Sequence, residues 1–137
     1  MKEVRFTVYG DPVPKARPRV YGNRGVTPQK TKIQEQKIAL VYKSQYHDAK
    51  FEKDVPLRMV VNFYIGVSKS ETKLRQEKMI AGEILPTKRT GDVENLAKLV
   101  MDALNGVGYY DDAQIVELVA KRRYSRTPRT ECFISSI

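Results

Sequence analysis

The chain has 137 residues, and its 25 lysines and arginines against 16 acidic residues give a net charge of +9. This length predicts one domain spanning residues 1–137, and an apolar content of 41% excludes a disordered chain. One cysteine and one histidine exclude a disulfide framework, a Cys-pair zinc site and a His-rich metal site, while the charge favours a polyanionic partner, nucleic acid first and an anionic membrane second.

The N-terminal segment MKEVRFTVYG alternates between apolar and polar residues and lacks the apolar core of a signal peptide. No run approaches the roughly 20 apolar residues that a membrane-spanning helix needs. We therefore expect a soluble, cytoplasmic protein without a membrane partner.

Val4 to Tyr9 alternates in the manner of a half-buried strand. The next segment, DPVPKARPR from Asp11 to Arg19, contains three prolines, which exclude a helix interior and favour a stiff extended loop. This loop and the residues after it present a series of basic side chains: Lys15, Arg17, Arg19, Arg24, Lys30 and Lys32. The series is either a solvated linker or an arm that contacts DNA phosphates, and we favour the arm.

Thr27 and Pro28 are typical of a helix start. The helix that follows, over about residues 31–46, has an apolar stripe composed of Ile33, Ile38, Val41 and Tyr42. A second strand is predicted within 55–66, and residues 68–82 form either a short surface helix or a mobile excursion. The loop before Asp92 adds two basic candidates for DNA contact, Lys88 and Arg89.

A central amphipathic helix is predicted from about Asp92 to Leu104, with Asp92 as its N-cap. Gly106 and Gly108 end it. Within this helix Glu94, Lys98 and Asp102 share one face, because they are spaced four residues apart.

Tyr109 to Gln114 predicts a turn that contains Asp111 and Asp112. Ile115 to Arg122 alternates and forms a third strand. Glu131 to Ile137 forms a fourth, which we expect to pair with the third as a hairpin.

Four acidic residues flank the central helix of this basic chain: Asp92, Glu94, Asp111 and Asp112. They could be purely structural, since Asp92 can cap a helix, Glu94 can pair with Lys98 and the aspartates can shape a turn. They could also hold a divalent cation, because hard cations take carboxylate oxygens. Spacing alone leaves both interpretations open.

Three segments, DVENLAK, MDALNG and YYDDAQI, together resemble the signature of the RusA family of Holliday junction resolvases. The loops PVPKARPR and TPQKTK also resemble those of its bacterial and prophage members. The segments occur in order over nearly the whole chain. Their combination is fairly specific, although each segment alone would be weak.

The resemblance implies an α/β (α+β) fold, with a small mixed four-stranded sheet packed against two main helices. It also implies a homodimer whose two active sites face a basic surface. The family's acidic residues bind divalent metal and a lysine assists cleavage of DNA phosphodiesters. The matching positions are Asp92, Glu94, Asp112 and Lys98, with Asp111 as a further candidate ligand for Mg2+ or Mn2+.

One position departs from the best-known members, which have aspartate where this chain has Glu94. The longer side chain moves the carboxylate by one carbon, and Mg2+ requires near-octahedral geometry. This departure bears on metal preference and rate.

The expected function is Mg2+-dependent resolution of four-way DNA junctions by paired symmetric nicks, in recombination and repair. Two alternatives stay open. One is a non-catalytic nucleic-acid-binding protein, and the other is a nuclease that acts on other branched or single-stranded DNA.

Overall fold

The computed structural model describes residues 3–16, 29–87 and 91–137 in full, and the backbone alone of residues 19–21 and 24–26. Its elements, in chain order, are β1 (Glu3–Tyr9), β2 (Arg19–Tyr21), β3 (Arg24–Val26), α1 (Gln29–Tyr46), β4 (Leu57–Gly66), α2 (Lys73–Ile80), α3 (Val93–Ala103), a short 3-10 turn (Asp112–Gln114), β5 (Ile115–Ser125) and β6 (Arg129–Ser136).

Four of the strands form one mixed sheet in the order β1-β6-β4-β5. β6 is antiparallel to both of its neighbours, whereas β5 is parallel to β4. The two long helices are α1 and α3, and α2 is a shorter third helix. The predicted α+β fold with a mixed four-stranded sheet is therefore confirmed.

The predicted hairpin between the last two strands is wrong. β6 lies between β1 and β4, and Cys132 is opposite Phe6 on one side and Val61 on the other. Its alternate residues are fully buried, which suits a central strand, whereas β5 exposes Val116 and Leu118 at the sheet edge. A parallel β4–β5 pair needs a crossover connection, and the chain through α2 and α3 provides it.

The core lies on one face of the sheet, under α1 and α3. The strands contribute Phe6, Met59 and Val61 to this core. The ring of Tyr42 on α1 packs edge to face against the ring of Phe6, with 5.8 Å between the ring centroids. Leu99 faces the same core from α3.

The predicted apolar stripe of α1 was partly wrong, because Ile33 is 54% exposed. The buried positions are Thr31, Gln34, Ile38 and Tyr42. Thr31 is buried with its hydroxyl oxygen satisfied, since it accepts a hydrogen bond from the backbone N–H of Ala16 at 3.4 Å. The helix therefore turns a polar residue, Thr31, toward the core and leaves the apolar Ile33 exposed, which the apolar pattern did not predict.

Residues 11–16 form neither helix nor strand, and the backbone N–H of Lys15 donates to the carbonyl of Asn95 at 2.9 Å. The last residue of the predicted loop, Arg19, begins β2 instead. β2 and β3 form a small two-stranded sheet that the sequence did not predict. The predicted helix start at Thr27 and Pro28 lies outside the described residues. No helix in the described ranges is long and apolar enough to cross a membrane.

Candidate functional site

The first acidic pair lies at the N-terminus of α3. Asp92 has extended backbone angles and caps the helix, since its carboxylate accepts a hydrogen bond from the N–H of Asn95 at 2.8 Å. Glu94 follows in the first turn, and both side chains are exposed, as is Lys98 one turn further on. Negative charge at this end of a helix is favourable, because the N–H groups there carry partial positive charge.

The second acidic pair lies beyond the opposite end of α3, in the turn before β5. Asn105, two residues past the helix, accepts a hydrogen bond from the N–H of Asp112 at 2.8 Å. Its side-chain amide also donates to the Asp112 carboxylate at 3.4 Å. The Asp111 carboxylate accepts from the N–H of Ala113 at 3.0 Å. The chain therefore positions these two carboxylates at the C-terminal end of α3.

This turn is held rigidly by two buried side chains. Tyr109 is fully buried, and its hydroxyl donates to the carbonyl of Met101 at 2.6 Å. The Gln114 amide oxygen accepts from the N–H groups of Tyr110 and Asp111, while its NH2 group donates to two carbonyls of the loop at 52–55. The acidic pair is thus carried on a fixed support.

The electrostatics at this end of α3 are unfavourable for carboxylates. Burial raises the pKa of Asp112, as do its hydrogen bond to Asp111 and the negative charges of Asp102 and Asp111, while the Asn105 hydrogen bond lowers it. The C-terminus of a helix also carries partial negative charge, and α3 has no basic residue in its last turn. Helix stability therefore gives no reason for three carboxylates here.

Lys15 lies between α1 and α3 and binds a carboxylate on each. Its Nζ is 3.0 Å from Glu35 Oε1 and 3.1 Å from Asp102 Oδ2. Burial lowers the pKa of Lys15, but the hydrogen bonds and charges of the two carboxylates together raise it above 10.5. Lys15 thus has two partners within the protomer, which compete with its predicted contact to DNA.

The residues of one protomer do not fit a single divalent cation. Asp92 and Asp112 lie at opposite ends of α3, and an 11-residue helix is about 16 Å long. Carboxylates that share one metal place their oxygens within about 2.0–2.6 Å of it. Within residues 3–16, 29–87 and 91–137, no group of three or more His, Cys, Asp or Glu side chains could hold a metal ion.

The structure describes only some of the predicted DNA-binding side chains. Lys30 and Lys32 are exposed in the first turn of α1, which contains no acidic residue. The side chains of Arg17, Arg19, Arg24, Lys88 and Arg89 lie outside the described residues, so their DNA contacts stay predictions.

Sequence reasoning missed the residues that support the acidic pair. Asp111 and Gln114 form a capping box, and their D-x-x-Q spacing was a readable signal for it. Asn105 gave no such signal, because its partner Asp112 lies in a separate turn, seven residues further along the chain.

Two comparisons with known proteins bear on this site. The sequence model of the family described as Endodeoxyribonuclease RusA matches residues 9–135. The chain is also similar to an uncharacterized protein of Bacillus subtilis (strain 168), YqaN, with 37% identity over 140 residues, covering 98% of this chain and 96% of that protein.

Proposed function

The chain belongs to the RusA family of endodeoxyribonucleases, and we propose that it cleaves four-way DNA junctions by paired, symmetric nicks. The observation that carries this proposal is the family match over nearly the whole chain. The motif acids Asp92 and Glu94 and the motif lysine Lys98 are also exposed along α3, where a phosphate could reach them.

The proposal includes a requirement for Mg2+, which Mn2+ can replace. It is supported by the chemistry of the motif, since exposed carboxylates are the preferred ligands of hard cations. Asp92, Glu94 and Asp112 are the proposed ligands and Asp111 is a further candidate. Within the part of the chain that the structure describes, these carboxylates do not come together as one group in a protomer.

Lys98 is proposed to contact the scissile phosphate. Hydrolysis of a phosphodiester concentrates negative charge on the phosphate oxygens, and a positioned cation stabilises that charge. Lys98 is exposed and lies one helical turn after Glu94. Its ammonium group can therefore approach a phosphate that lies along α3.

Lys30 and Lys32 are proposed to bind backbone phosphates. Both lie in the first turn of α1, where positive charge is unfavourable for the helix. Their position is therefore not explained by the stability of α1. Phosphate contacts of this kind give affinity without reading sequence, which suits recognition of a junction by its shape.

A homodimer is proposed, because a two-fold assembly suits a junction with near two-fold symmetry and would place two nicks symmetrically. Cleavage of junctions during recombination and repair would place the protein with chromosomal DNA in the cytoplasm.

The test is nicking of a synthetic four-way junction with Mg2+ or Mn2+, with EDTA and Asp92→Asn as controls and gel-shift binding on the same DNA. We expect paired symmetric nicks that vanish with EDTA and in the variant, while binding persists. Binding without cleavage in either metal would instead favour the non-catalytic alternative, and Glu94→Asp would then test whether the longer side chain is responsible. Equal cleavage of forks or flaps would favour a broader branched-DNA nuclease.

A further inference from the structure

The end of β5 and the turn that follows it form a strongly basic segment. No acidic residue occurs between Leu118 and Thr130. The basic residues in this segment are Lys121, Arg122, Arg123, Arg126 and Arg129. Their positive charge is therefore not balanced within the segment itself.

Two of these arginines are held by contacts within the protein. Arg122 donates a hydrogen bond from Nη1 to the carbonyl of Gly91 at 2.8 Å. Arg129 forms an ion pair with Glu131, with 2.9 Å between Nε and Oε2. The guanidinium of Arg129 also lies 3.9 Å from the centroid of the Tyr64 ring. These contacts explain both side chains without a partner outside the chain.

The other three side chains, those of Lys121, Arg123 and Arg126, are exposed. Lys121 and Arg123 are two residues apart on β5, so they point to the same face of the sheet, about 6.6 Å from each other. Their neighbours on β4 are the uncharged residues Asn62 and Tyr64. Among the residues that the structure describes, no acidic side chain forms an ion pair with any of the three. We call these three residues the β5 surface.

Arg126 lies in the turn between β5 and β6, and this turn has a fixed backbone. The N–H of Thr127 donates to Ser125 Oγ at 3.1 Å. The carbonyl of Pro128 accepts from the N–H of Gly10 at 3.0 Å, which ties the turn to the end of β1. A charged partner can therefore bind here without the cost of ordering a loop.

The β5 surface lies at the same end of the sheet as the start of α3. Arg122, which lies between Lys121 and Arg123 in the chain, contacts the carbonyl of Gly91. Gly91 directly precedes Asp92, the first acidic residue of the motif. DNA that reaches the start of α3 therefore passes close to the edge of the sheet that carries these charges.

The chemistry of the β5 surface suits a duplex backbone better than a single strand. Surfaces that bind single strands combine positive charge with aromatic rings on which bases stack. Here the nearest ring, Tyr64, is partly buried and is covered by Arg129. The exposed Tyr9 lies on β1, at the opposite edge of the sheet. Positive charges without an available ring favour phosphates.

We propose that the β5 surface binds the phosphate backbone of one duplex arm of a branched DNA. This inference rests on the proposed nuclease function, because a four-way junction supplies further duplex arms beside the strand that is cut. The surface adds affinity for the junction and no preference for sequence, since it contacts phosphates and not base edges.

The test is the triple variant Lys121→Gln/Arg123→Gln/Arg126→Gln, with binding to a four-way junction measured in EDTA at several salt concentrations. Each lost phosphate contact lowers the slope of log K against log salt by about 0.9, so three contacts lower it by about 2.7. We also expect the affinity at about 0.15 M salt to fall at least about tenfold. An unchanged slope would overturn the inference.

The matched control is Lys43→Gln/Lys53→Gln/Lys73→Gln, which removes the same charge from exposed positions outside the β5 surface. We expect its salt slope to change by less than one contact. An equal loss of slope in both variants would mean that net charge alone sets the affinity, and the inference would fail. Both variants should keep the wild-type urea midpoint, because all six side chains are exposed.

A photo-crosslinker attached to the variant Thr127→Cys locates the bound DNA. Residue 127 is exposed beside Arg126, whereas the native Cys132 is fully buried, so the reagent reacts at one position. We expect crosslinks to nucleotides within a duplex arm. Crosslinks confined to the branch point, or no crosslinks to DNA, would contradict the proposal.

Two further outcomes separate this inference from its alternatives. If the triple variant loses binding to phosphatidylserine vesicles but keeps the wild-type affinity for the junction, the surface serves a membrane and the inference is wrong. Because binding is measured without a divalent metal, it does not depend on cleavage. A wild-type protein that shows the expected salt slopes but cuts no junction would refute the proposed function and leave the β5 surface in place.

Discussion

At the scale of single residues, Asp92 combines a structural role with a proposed catalytic one. It caps α3, and asparagine caps a helix about as well as aspartate, whereas alanine costs about 1 kcal/mol. We therefore expect Asp92→Asn to retain the wild-type free energy of unfolding and Asp92→Ala to lower it by about 1 kcal/mol, while both abolish cleavage. Urea unfolding and junction nicking check this. Full cleavage by Asp92→Asn would mean that Asp92 is only a cap.

Gly91 lies where the loop at 11–16 passes the start of α3. Its φ of +74° is unfavourable for other residues, and a Cβ there would lie 2.4 Å from Pro14 Cβ. Gly82 has a φ of +84° with nothing within 4 Å of such a Cβ. We expect Gly82→Ala to cost about 1 kcal/mol of unfolding free energy from backbone strain alone. Gly91→Ala should cost at least about 1 kcal/mol more, the scale of overpacking.

Thermal or urea unfolding of the two glycine variants measures the difference directly. Equal losses would mean that the loop moves away from α3 at little cost. Because Gly91 precedes Asp92, we also expect Gly91→Ala, and not Gly82→Ala, to lower the nicking rate.

At the scale of elements, the turn between α3 and β5 depends on Gln114. This side chain is 8% exposed and makes hydrogen bonds to two N–H groups and two carbonyls. Gln114→Leu keeps a similar volume but leaves these groups unpaired, and each unpaired buried group costs about 1–3 kcal/mol. We expect a loss of at least about 2 kcal/mol in unfolding free energy.

The matched control is Gln36→Leu on the exposed face of α1, which should change the unfolding free energy by less than about 0.5 kcal/mol. Gln114→Leu should also weaken cleavage, because Asp111 and Asp112 would lose their fixed position. A Gln114→Leu protein as stable and active as wild type would contradict this account of the turn.

Lys15 ties the loop after β1 to both long helices through Glu35 and Asp102. The three side chains are partly buried, so we expect Lys15→Met to lower the unfolding free energy by about 1 kcal/mol, the upper range for such pairs. The folded pKa of Lys15 is raised above 10.5, so its contribution is complete below pH 10.5 and is lost as pH rises through the folded pKa.

Urea unfolding at pH 8 and pH 11 tests this sign. The difference in unfolding free energy between wild type and Lys15→Met should be larger at pH 8 than at pH 11. The control Lys53→Met, at an exposed position, should have the wild-type unfolding free energy at pH 8. A gap that widens with pH would mean that the ion pairs do not stabilise the fold.

At the scale of the whole molecule, Cys132 reports on the integrity of the sheet. It is fully buried in the central strand β6, and burial raises the pKa of its thiol from 9.0 to about 12. Because the thiolate is the reactive form, we expect a thiol reagent to label the native protein only when the chain unfolds. The control is the double variant Cys132→Ala/Ser70→Cys, whose only thiol is at an exposed position. If the native wild-type protein were labelled as fast as this control, the expectation would be contradicted.

The same shift gives a pH dependence with a definite sign. The folded pKa lies above the unfolded value, so the thiol's contribution to stability is complete below pH 9 and is lost between pH 9 and about 12. Replacing Cys132 by alanine should remove this part of the alkaline destabilisation, measured by urea unfolding across that range.

The sequence by itself determined the elements that local patterns specify. Alternation defined β1 and β4, the apolar stripe and Asp92 defined α3, and the motif acids identified the family. These elements can be predicted from sequence because the alternation of a strand and the capping of a helix involve residues that are close together in the chain.

Tertiary structure alone decided the features that depend on distant partners. The position of β6 between β1 and β4 is one such feature. The short turn before β6 suggests a hairpin with β5, but the partners of a strand depend on which other strands bury its faces and edges. Tertiary structure also buried Thr31 and left Ile33 exposed, and the buried Thr31 hydroxyl has a hydrogen-bond partner in the loop at 11–16. It also fixed the turn that carries Asp111 and Asp112, because the Gln114 side chain donates to the carbonyl of Glu52, which is 62 residues away in the chain.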